Sequence, residues 1–169
     1  MNKKIFSKNF NLSSYTTIKV GGVAEYFAEP KSIYEFSYLI KWANLNKQRC
    51  QIIGAGSNLL INNIFIKGLV ICTKKMKSLT IEPYSGIVEA EAGVMLPTLS
   101  NSLAKNGLQG GEWAVGIPGT LGGAIYMNAG TGNLSLAKNL ISVKVVNNKN
   151  YEIIDIEKKD INFEYRFSS

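Results

Sequence analysis

The sequence predicts an α+β fold, because two helical patterns lie among several short runs that are typical of strands. Of the 169 residues, 46% are hydrophobic and only 18% are charged, which is enough apolar surface for a buried core. The length suits one domain or two small lobes that share a ligand. We therefore expect a folded globular body with helices and strands mixed along the chain.

The N-terminal part is expected to form two strands followed by a helix. Residues 16–20 and 24–28 are rich in residues that favour strands. Ser32 and Glu35 form a capping box, the pattern that begins many helices. Apolar residues then recur at helical spacing up to about Asn46. These patterns predict a β-α unit.

The next segment is predicted to run from strand to strand through a glycine-containing loop. Residues 51–53 form a short apolar run that leads directly into the loop at residues 54–58. Residues 59–61 and 69–72 are expected to resume extended structure. The loop therefore connects two strands, with no helix directly after it.

Two hairpins and a second helix are predicted in the remainder. Residues 79–94 suggest a hairpin with its turn at residues 83–86. A helix is predicted from residue 96 to 106, with Pro97 in its first turn and Gly107 as its stop. A final hairpin is predicted from residues 141–156, with its turn at Asn147-Asn148-Lys149-Asn150.

The composition excludes several kinds of chemistry. The sequence contains no histidine, which removes Ser-His triads, His-ligated metals and flavin attached through histidine. Cys50 and Cys72 both lie in apolar runs and are expected to be buried free thiols of a reducing compartment. No apolar run is long enough to cross a bilayer, so we expect a cytoplasmic protein whose chemistry comes from a bound cofactor.

The net charge of +7 suits anionic ligands such as phosphates and nucleotides, and it also suits general solubility. The basic residues are scattered, and the clusters at Lys74-Lys75 and Lys158-Lys159 lack interleaved aromatic residues. A nucleic-acid-binding domain remains a competing hypothesis, which salt-dependent oligonucleotide binding would support. We expect no nucleic-acid partner and no membrane association, and the oligomeric state is left open.

The loop Gly54-Ala55-Gly56-Ser57-Asn58 is the first candidate site. Its two glycines free the backbone to turn several N–H groups into one concavity, which suits a pyrophosphate. An ordinary glycine turn between strands is the alternative. A Rossmann dinucleotide motif fits poorly, because Leu59 occupies its third glycine position and no helix follows.

The second candidate is Gly116-Ile117-Pro118-Gly119-Thr120-Leu121-Gly122-Gly123-Ala124, which continues to Asn128-Ala129-Gly130. Four glycines carry a large entropic cost on folding, which suggests close approach of the backbone to a flat or charged group. A purely structural glycine-rich crossing is the alternative. Together, the two loops favour a large dinucleotide that lies across two lobes.

Four ordered motifs resemble those of the UDP-N-acetylenolpyruvoylglucosamine reductases, and they span nearly the whole chain. Four motifs in order and at similar spacing are far more specific than either glycine loop alone. The motifs are Thr16-Thr17-Ile18-Lys19-Val20-Gly21-Gly22, Gly54 to Leu60, Gly116 to Ala124 with Asn128-Ala129-Gly130, and Tyr165-Arg166.

The resemblance implies non-covalent FAD in the two-lobed FAD-binding fold of the vanillyl-alcohol-oxidase/PCMH type. It places a smaller α+β lobe at residues 1–75 and a larger lobe at residues 76–169. The first loop would bind the pyrophosphate, and the second would lie along the flavin and its ribityl-phosphate arm. The implied cofactor-binding residues are Gly54, Ala55, Gly56, Ser57, Asn58, Gly116, Ile117, Pro118, Gly119, Thr120, Gly122, Gly123 and Ala124.

The resemblance also implies a reaction. In this family NADPH passes hydride to the flavin, which passes it to the enolpyruvyl group of UDP-N-acetylglucosamine enolpyruvate. The product, UDP-N-acetylmuramate, is a peptidoglycan precursor for the cell wall. Arg166 matches the catalytic arginine, whose fixed charge would stabilise enolate character at the substrate carboxylate. Tyr165 would contact the substrate beside it.

The sequence departs from the family in two respects. The family continues beyond the position of Ser169 into a substrate-binding domain with a serine proton donor and a glutamate, so the chain is either a fragment or a natural short form. After the second loop, Gly130-Thr131-Gly132-Asn133 stands where the family often has an alanine and an aromatic residue.

Two alternative functions keep the FAD-binding fold. One is an FAD-binding module without turnover, and the other is an FAD-dependent oxidase of the same superfamily, which Tyr165-Arg166 argues against.

Overall fold

The structure is a computed structural model that describes residues 5–62 and 64–169. The chain divides into two compact units. The first unit contains Met1–Met76 and Val146–Ile153, and the second contains Lys77–Val145 and Ile154–Ser169. The functional division into lobes at residues 1–75 and 76–169 stays a prediction.

The first unit is built on a mixed sheet with the strand order β1-β2-β4-β3. The strands are β1 (Ser7–Asn11), β2 (Val23–Ala28), β3 (Cys50–Ile53) and β4 (Phe65–Cys72). Strands β2 and β3 both run parallel to β4, whereas β1 pairs antiparallel with β2. The crossover between β2 and β3 contains a helix, the usual form of a connection between strands of the same direction.

Helix α1 (Ile33–Leu45) begins at the predicted capping box. The Ser32 hydroxyl accepts the backbone N–H of Glu35 at 3.2 Å. The Glu35 carboxylate in turn accepts the N–H of Lys31 at 2.8 Å, one residue before the N-cap. The apolar face of α1 lies in a core cluster with β2 and β4 that comprises Ala28, Leu39, Ala43, Leu69 and Ile71.

Strand β4 joins two hydrophobic clusters, because successive side chains of a strand point to opposite faces. Leu69 and Ile71 contact the helix side, whereas Val70 and Cys72 belong to a second cluster. An aromatic stack of Phe10 on Phe27, with centroids 4.2 Å apart, lies in that cluster. The buried members of the second cluster are Leu12, Ala24, Phe27, Ile53, Val70 and Cys72.

The second unit begins with an antiparallel hairpin of β5 (Leu79–Ile81) and β6 (Val88–Ala90), as predicted. Helix α2 (Leu96–Lys105) follows, with Pro97 in its first turn. Gly107 adopts φ +69° just after its end, which is the left-handed conformation that glycine favours there. The predicted helix and its stop are therefore confirmed.

The glycine-rich segment contains a helical turn at Glu112–Gly116 and a short helix, α3 (Leu121–Tyr126). The buried core of the second unit comprises Val94, Leu96, Ala114, Leu121 and Ala124. Small elements make up the rest of the chain. These elements are β7 (Gly130–Thr131) with β8 (Leu134–Ser135), α4 (Leu136–Asn139), β9 (Ser142–Val146) with β10 (Ile153–Glu157), and β11 (Phe163–Glu164) with β12 (Phe167–Ser168).

Two predicted strands are wrong. Residues 16–20 and 59–61 form no strand. At the first of these, the Thr16 hydroxyl donates to the carbonyl of Val20 at 2.7 Å and lies 3.3 Å from that of Ser13. Such local bonds compete with a strand ladder and fold the segment into turns, so the β-forming composition was overridden.

Strand β1 and helix α3 were not predicted from the sequence. The sequence of β1, Ser-Lys-Asn-Phe-Asn, has one apolar residue and gains its pairing from β2. Helix α3 contains two glycines, which disfavour helix locally. Its first N–H groups are satisfied instead by the chain before α2, since Leu121 and Gly122 donate to the carbonyls of Val94 and Ala92, each at 2.8 Å.

Candidate functional site

The loop at residues 54–58 joins β3 to β4 in the first unit. Among the described residues, the backbone N–H groups of Ala55, Gly56, Ser57 and Asn58 donate to no protein acceptor. Several adjacent N–H groups without a protein partner form the kind of concavity that binds an anion. The geometry of the loop is therefore suited to a phosphate.

Gly56 is required at its position by both conformation and space. It adopts φ +68°, and a Cβ atom there would collide with the backbone carbonyl oxygen of Tyr15 and lie 2.9 Å from Cα of Thr16. The carbonyl of Gly56 accepts the N–H of Thr17 at 3.2 Å. The loop is thus built directly on residues 15–17.

The glycine pair of the first motif, Gly21-Gly22, serves backbone packing. A Cβ atom on Gly21 would lie 2.9 Å from the backbone of Leu12 and Ser13, and one on Gly22 would collide with the carbonyl of Ile64. Within the first motif, it is Thr16 and Thr17 that contact Gly56 of the loop at residues 54–58. The composition of this motif gives no indication of the contact with Gly56.

Tyr15, which lies beneath Gly56, stays neutral over the physiological range. The pKa of the Tyr15 phenol is raised to about 12, mainly by burial. A hydrogen bond to Glu29 and the negative charge of Glu29 also raise it. The carboxylate of Glu29 is paired with the Lys75 ammonium at 2.6 Å. Tyr15 therefore adds no negative charge near the N–H groups of the loop.

The glycines of the second loop fall into two groups. A Cβ atom on Gly116 or Gly119 would meet no protein atom within 4 Å, and one on Gly123 would meet only the Thr120 hydroxyl at 3.6 Å. Gly122 differs, because its Cβ atom would lie 2.9 Å from that of Ala92. Packing within the chain therefore explains Gly122, whereas Gly116 and Gly119 face open space and Gly123 lies beside the Thr120 hydroxyl.

Thr120 lies between these glycines and has an unsatisfied hydroxyl. The residue is 2% exposed, and its Oγ1 has no hydrogen-bond partner in the described part of the chain. Leaving a buried polar group unpaired costs on the order of 1–3 kcal/mol. A polar ligand group at this loop would remove that cost, and the bare glycine surface gives it room to approach.

Tyr165 and Arg166 form the two-residue turn between β11 and β12. Both terminal nitrogens of Arg166 lie 3.4 Å from the carbonyl oxygen of Gly130, and its guanidinium carbon lies 5.1 Å from the ring centroid of Tyr165. Contacts at 3.4 Å are weak, and Arg166 has no carboxylate partner among the described residues. Its exposed charge is thus available to an anionic ligand.

The structure brings the fourth motif to the end of the third. Gly130 closes the glycine-rich segment, and Arg166 contacts it from 36 positions further along the chain. The two candidate loops lie in different units, with residues 54–58 in the first and residues 116–124 in the second. Ile117, Pro118 and Ala124 belong to the second loop with its glycines, and Ala124 is buried in the core.

The prediction that both cysteines are buried is wrong for Cys50, which is exposed because β3 is an edge strand of the sheet. Neighbouring atoms still desolvate its thiol and raise its pKa to about 11. Burial raises the pKa of Cys72 as well, and its thiol donates to the carbonyl of Gly54 at 3.3 Å. Neither residue is activated as a thiolate nucleophile.

Residues 5–62 and 64–169 contain no cluster of acidic and cysteine side chains suited to a metal ion. In the same described residues, no helix has the length and apolar character needed to cross a membrane.

Comparison with known proteins identifies relatives over nearly the whole chain. A protein-family model described as "FAD binding domain" matches residues 24–156. A UDP-N-acetylenolpyruvoylglucosamine reductase of Prochlorococcus marinus subsp. pastoris is 70% identical over 96% of this chain and 55% of its own length. One from Prochlorococcus marinus strain NATL2A is 48% identical over 99% of this chain and 57% of its own length. The chain thus spans about half the length of these relatives.

Solved structures share the fold. The UDP-N-acetylenolpyruvylglucosamine reductase of Thermus caldophilus superposes with a TM-score of 0.76 at 29% identity, over 94% of this chain and 55% of that chain. The 6-hydroxy-D-nicotine oxidase of Arthrobacter nicotinovorans superposes with a TM-score of 0.68 at 16% identity, over 91% of this chain and 35% of that chain. The second likeness concerns the fold alone.

The prediction of an FAD-binding region resembling these reductases is therefore confirmed. The α+β fold predicted for it is also confirmed as the FAD-binding fold of the vanillyl-alcohol-oxidase/PCMH type. With a family model matched over residues 24–156, the chain belongs to the FAD-binding domain family.

Proposed function

We propose that the chain is the FAD-binding part of an oxidoreductase that reduces UDP-N-acetylenolpyruvoylglucosamine to UDP-N-acetylmuramate with NADPH. The observation that carries this proposal is the 70% identity to a reductase of that name over 96% of the chain. The reaction adds one hydride and one proton across the enolpyruvyl C=C bond, while NADPH becomes NADP⁺. Its product serves peptidoglycan precursor synthesis, and with it cell-wall formation and division.

FAD, when bound, carries hydride between NADPH and the substrate. The N–H groups of the loop at residues 54–58 would bind its diphosphate, because those of residues 55–58 have no acceptor among the described residues. Thr120, the adjacent Gly123 and the open surface of Gly116 would contact the ribityl and ring portions. The neighbouring Ile117, Pro118, Gly119, Gly122 and Ala124 would shape that surface.

Arg166 would act on the substrate. Its exposed guanidinium has no carboxylate partner in the described chain, and the enolpyruvyl group of the substrate carries a carboxylate. A fixed positive charge at that carboxylate stabilises the enolate character that develops as hydride arrives at the adjacent double bond. Tyr165, which is 88% exposed beside it, would contact the substrate.

The proposal includes a cytoplasmic location, with no nucleic-acid or membrane partner. NADPH and UDP-linked precursors are cytoplasmic metabolites, and the free thiols of Cys50 and Cys72 suit a reducing compartment.

The first experiment is a visible spectrum of the purified chain, with the released cofactor identified by mass spectrometry. We expect the chain to bind about one FAD per molecule. The spectrum should show the absorbance bands of oxidised flavin, and added FAD should bring the site close to saturation. Circular dichroism and a cooperative thermal transition establish that the sample is folded. Failure of such a folded sample to bind FAD would overturn the assignment of both loops.

A flavin-binding module without turnover is the second candidate, because the chain spans only 55% of the length of the 70% identical reductase. A hybrid reductase separates the two. In it, this chain replaces the matching region of the 70% identical Prochlorococcus relative, so its residues work in a polypeptide of that relative's length. Turnover by the hybrid supports the reductase proposal, whereas an FAD-loaded hybrid without turnover supports the module.

The two groups of glycines predict different effects of alanine. Gly116→Ala should leave the thermal stability of the chain within about 1 kcal/mol and weaken FAD binding, because its Cβ meets no protein atom within 4 Å and would occupy space left for the ligand. Gly122→Ala should lower stability by roughly 1–3 kcal/mol, because it overpacks against Ala92. Thermal unfolding without FAD and FAD titration measure the two effects, and equal FAD affinity in Gly116→Ala and the unchanged chain would contradict the ligand-facing assignment.

A further inference from the structure

The hairpin that carries Arg166 is fastened to the end of the glycine-rich segment. The Asn128 side-chain amide donates to the carbonyl of Glu164 at 2.9 Å. The Ser168 hydroxyl donates to the carbonyl of Tyr126 at 2.9 Å, and Arg166 itself contacts the carbonyl of Gly130. Residues 126–130 thus contact the hairpin before, within and after its turn.

Asn128 is the member of this set whose side chain is held at both ends. Its Nδ2 donates to Glu164, and its Oδ1 lies 3.4 Å from the backbone N–H of Ala137 at the start of α4. The backbone N–H of Asn128 donates to the carbonyl of Ile125 at 3.1 Å. Its φ of +41° lies in the left-handed region, which asparagine tolerates better than most residues. The amide is therefore oriented before any ligand arrives.

The turn needs such an anchor. Arg166 adopts φ +57° at the second position of a two-residue turn, where glycine is the usual residue. A left-handed conformation is unfavourable for a residue with a side chain, because its Cβ atom crowds the following carbonyl oxygen. Such a conformation persists where surrounding contacts hold it, and the carbonyl fixed by Asn128 belongs to the residue directly before the turn.

We infer that Asn128 is a positioning residue for Arg166. Its amide holds the Tyr165-Arg166 turn against the end of the glycine-rich segment, so that the guanidinium is already placed where a substrate carboxylate would bind. This inference rests on the proposed function, since it assigns Asn128 a role only through Arg166. It predicts that loss of the amide affects the reaction with substrate and spares the reaction with NADPH.

The test uses Asn128→Asp in the hybrid reductase. Aspartate keeps the shape and the acceptor but loses the donor to Glu164. The matched control is Asn139→Asp, because the Asn139 amide makes an equivalent bond to the carbonyl of Gly110 at 2.8 Å. Asn128→Ala repeats the loss without a new charge near Arg166. FAD content and a thermal melt establish that each variant is folded and loaded.

Stopped-flow absorbance measures the two halves of the reaction separately. In Asn128→Asp and Asn128→Ala, we expect bleaching of the flavin by NADPH at an unchanged rate. Recovery of the absorbance on adding the enolpyruvyl substrate should be slowed about 10- to 100-fold, as for a misplaced catalytic group. Asn139→Asp should change neither rate by more than about 2-fold. The inference is overturned if the reactions with NADPH and with the substrate are slowed equally. It is also overturned if neither Asn128 variant slows the reaction with the substrate.

A double-mutant cycle separates positioning from a direct effect. If Asn128 acts through Arg166, Asn128→Ala should add less than about a 2-fold loss in an Arg166→Met background. Multiplicative losses would overturn the positioning role while leaving Arg166 in place. Normal substrate reaction in Arg166→Met alone would instead overturn the role of Arg166 in the proposed function, so the two failures are distinguishable.

Discussion

Arg166→Met in the hybrid reductase is expected to lower kcat for enolpyruvyl reduction by about 10²- to 10³-fold, the usual loss when one stabilising charge or donor is removed. FAD content should not change, because Arg166 is exposed and contacts the carbonyl of Gly130 only at 3.4 Å. Steady-state turnover and the flavin spectrum measure the two effects. The loss arises because methionine cannot compensate the charge that develops on the substrate.

The sequence offers a matched control for this prediction. Arg49 is the other arginine of the chain. It is exposed in the first unit, where its backbone carbonyl accepts the N–H of Leu69 at 2.8 Å. Arg49→Met removes the same charge and should leave kcat within about 2-fold. Arg166→Lys keeps the charge but not the planar fork, and should recover part of the activity. Unchanged turnover in Arg166→Met would refute the role of the arginine.

Gly56→Ala is expected to abolish FAD binding by the chain and to lower its stability by more than about 2 kcal/mol. Two costs combine in this variant. Alanine is disfavoured at φ +68°, by about 1 kcal/mol, and its Cβ collides with the carbonyl of Tyr15. Relief of the collision must separate the loop from residues 15–17 and move the N–H groups that would bind the diphosphate. Urea unfolding and FAD titration report the two effects.

Gly107→Ala is the control for conformation alone. Gly107 adopts φ +69°, nearly the same as Gly56, but a Cβ there meets no atom within 4 Å. We therefore expect a loss of about 1 kcal/mol with FAD affinity unchanged. Comparable losses of stability and FAD affinity in the two variants would show that the contact between Gly56 and Tyr15 does not shape the site.

The parts of the fold that the sequence predicts are those whose causes are local. The capping box at Ser32 and the proline and glycine that flank α2 act within one or two helical turns. The most buried strand, β4, contains the continuous apolar run at residues 69–72. For these elements, propensity, pattern and tertiary packing favour the same structure.

The elements that the sequence does not predict depend on distant partners. Strand β1 is polar and exists through pairing with β2, and α3 receives its first hydrogen bonds from residues 92 and 94. Residues 16–20 have a composition that favours a strand, but the Thr16 hydroxyl contacts the carbonyls of Ser13 and Val20, and the segment forms turns instead. Tertiary contacts and side-chain hydrogen bonds outweigh propensities of a few tenths of a kcal/mol per residue.

The same division applies to the candidate site. The residue types and order of the four motifs were sufficient to predict FAD and the family, because a family is defined by a pattern in sequence. Which glycine packs on the chain and which faces open space was decided by the tertiary structure, as Gly122 and Gly116 show. So was the contact of Arg166 with Gly130, together with the amide of Asn128 that fastens the arginine turn. Such contacts join residues 36 positions apart, and no local pattern of residue types records a distance in space.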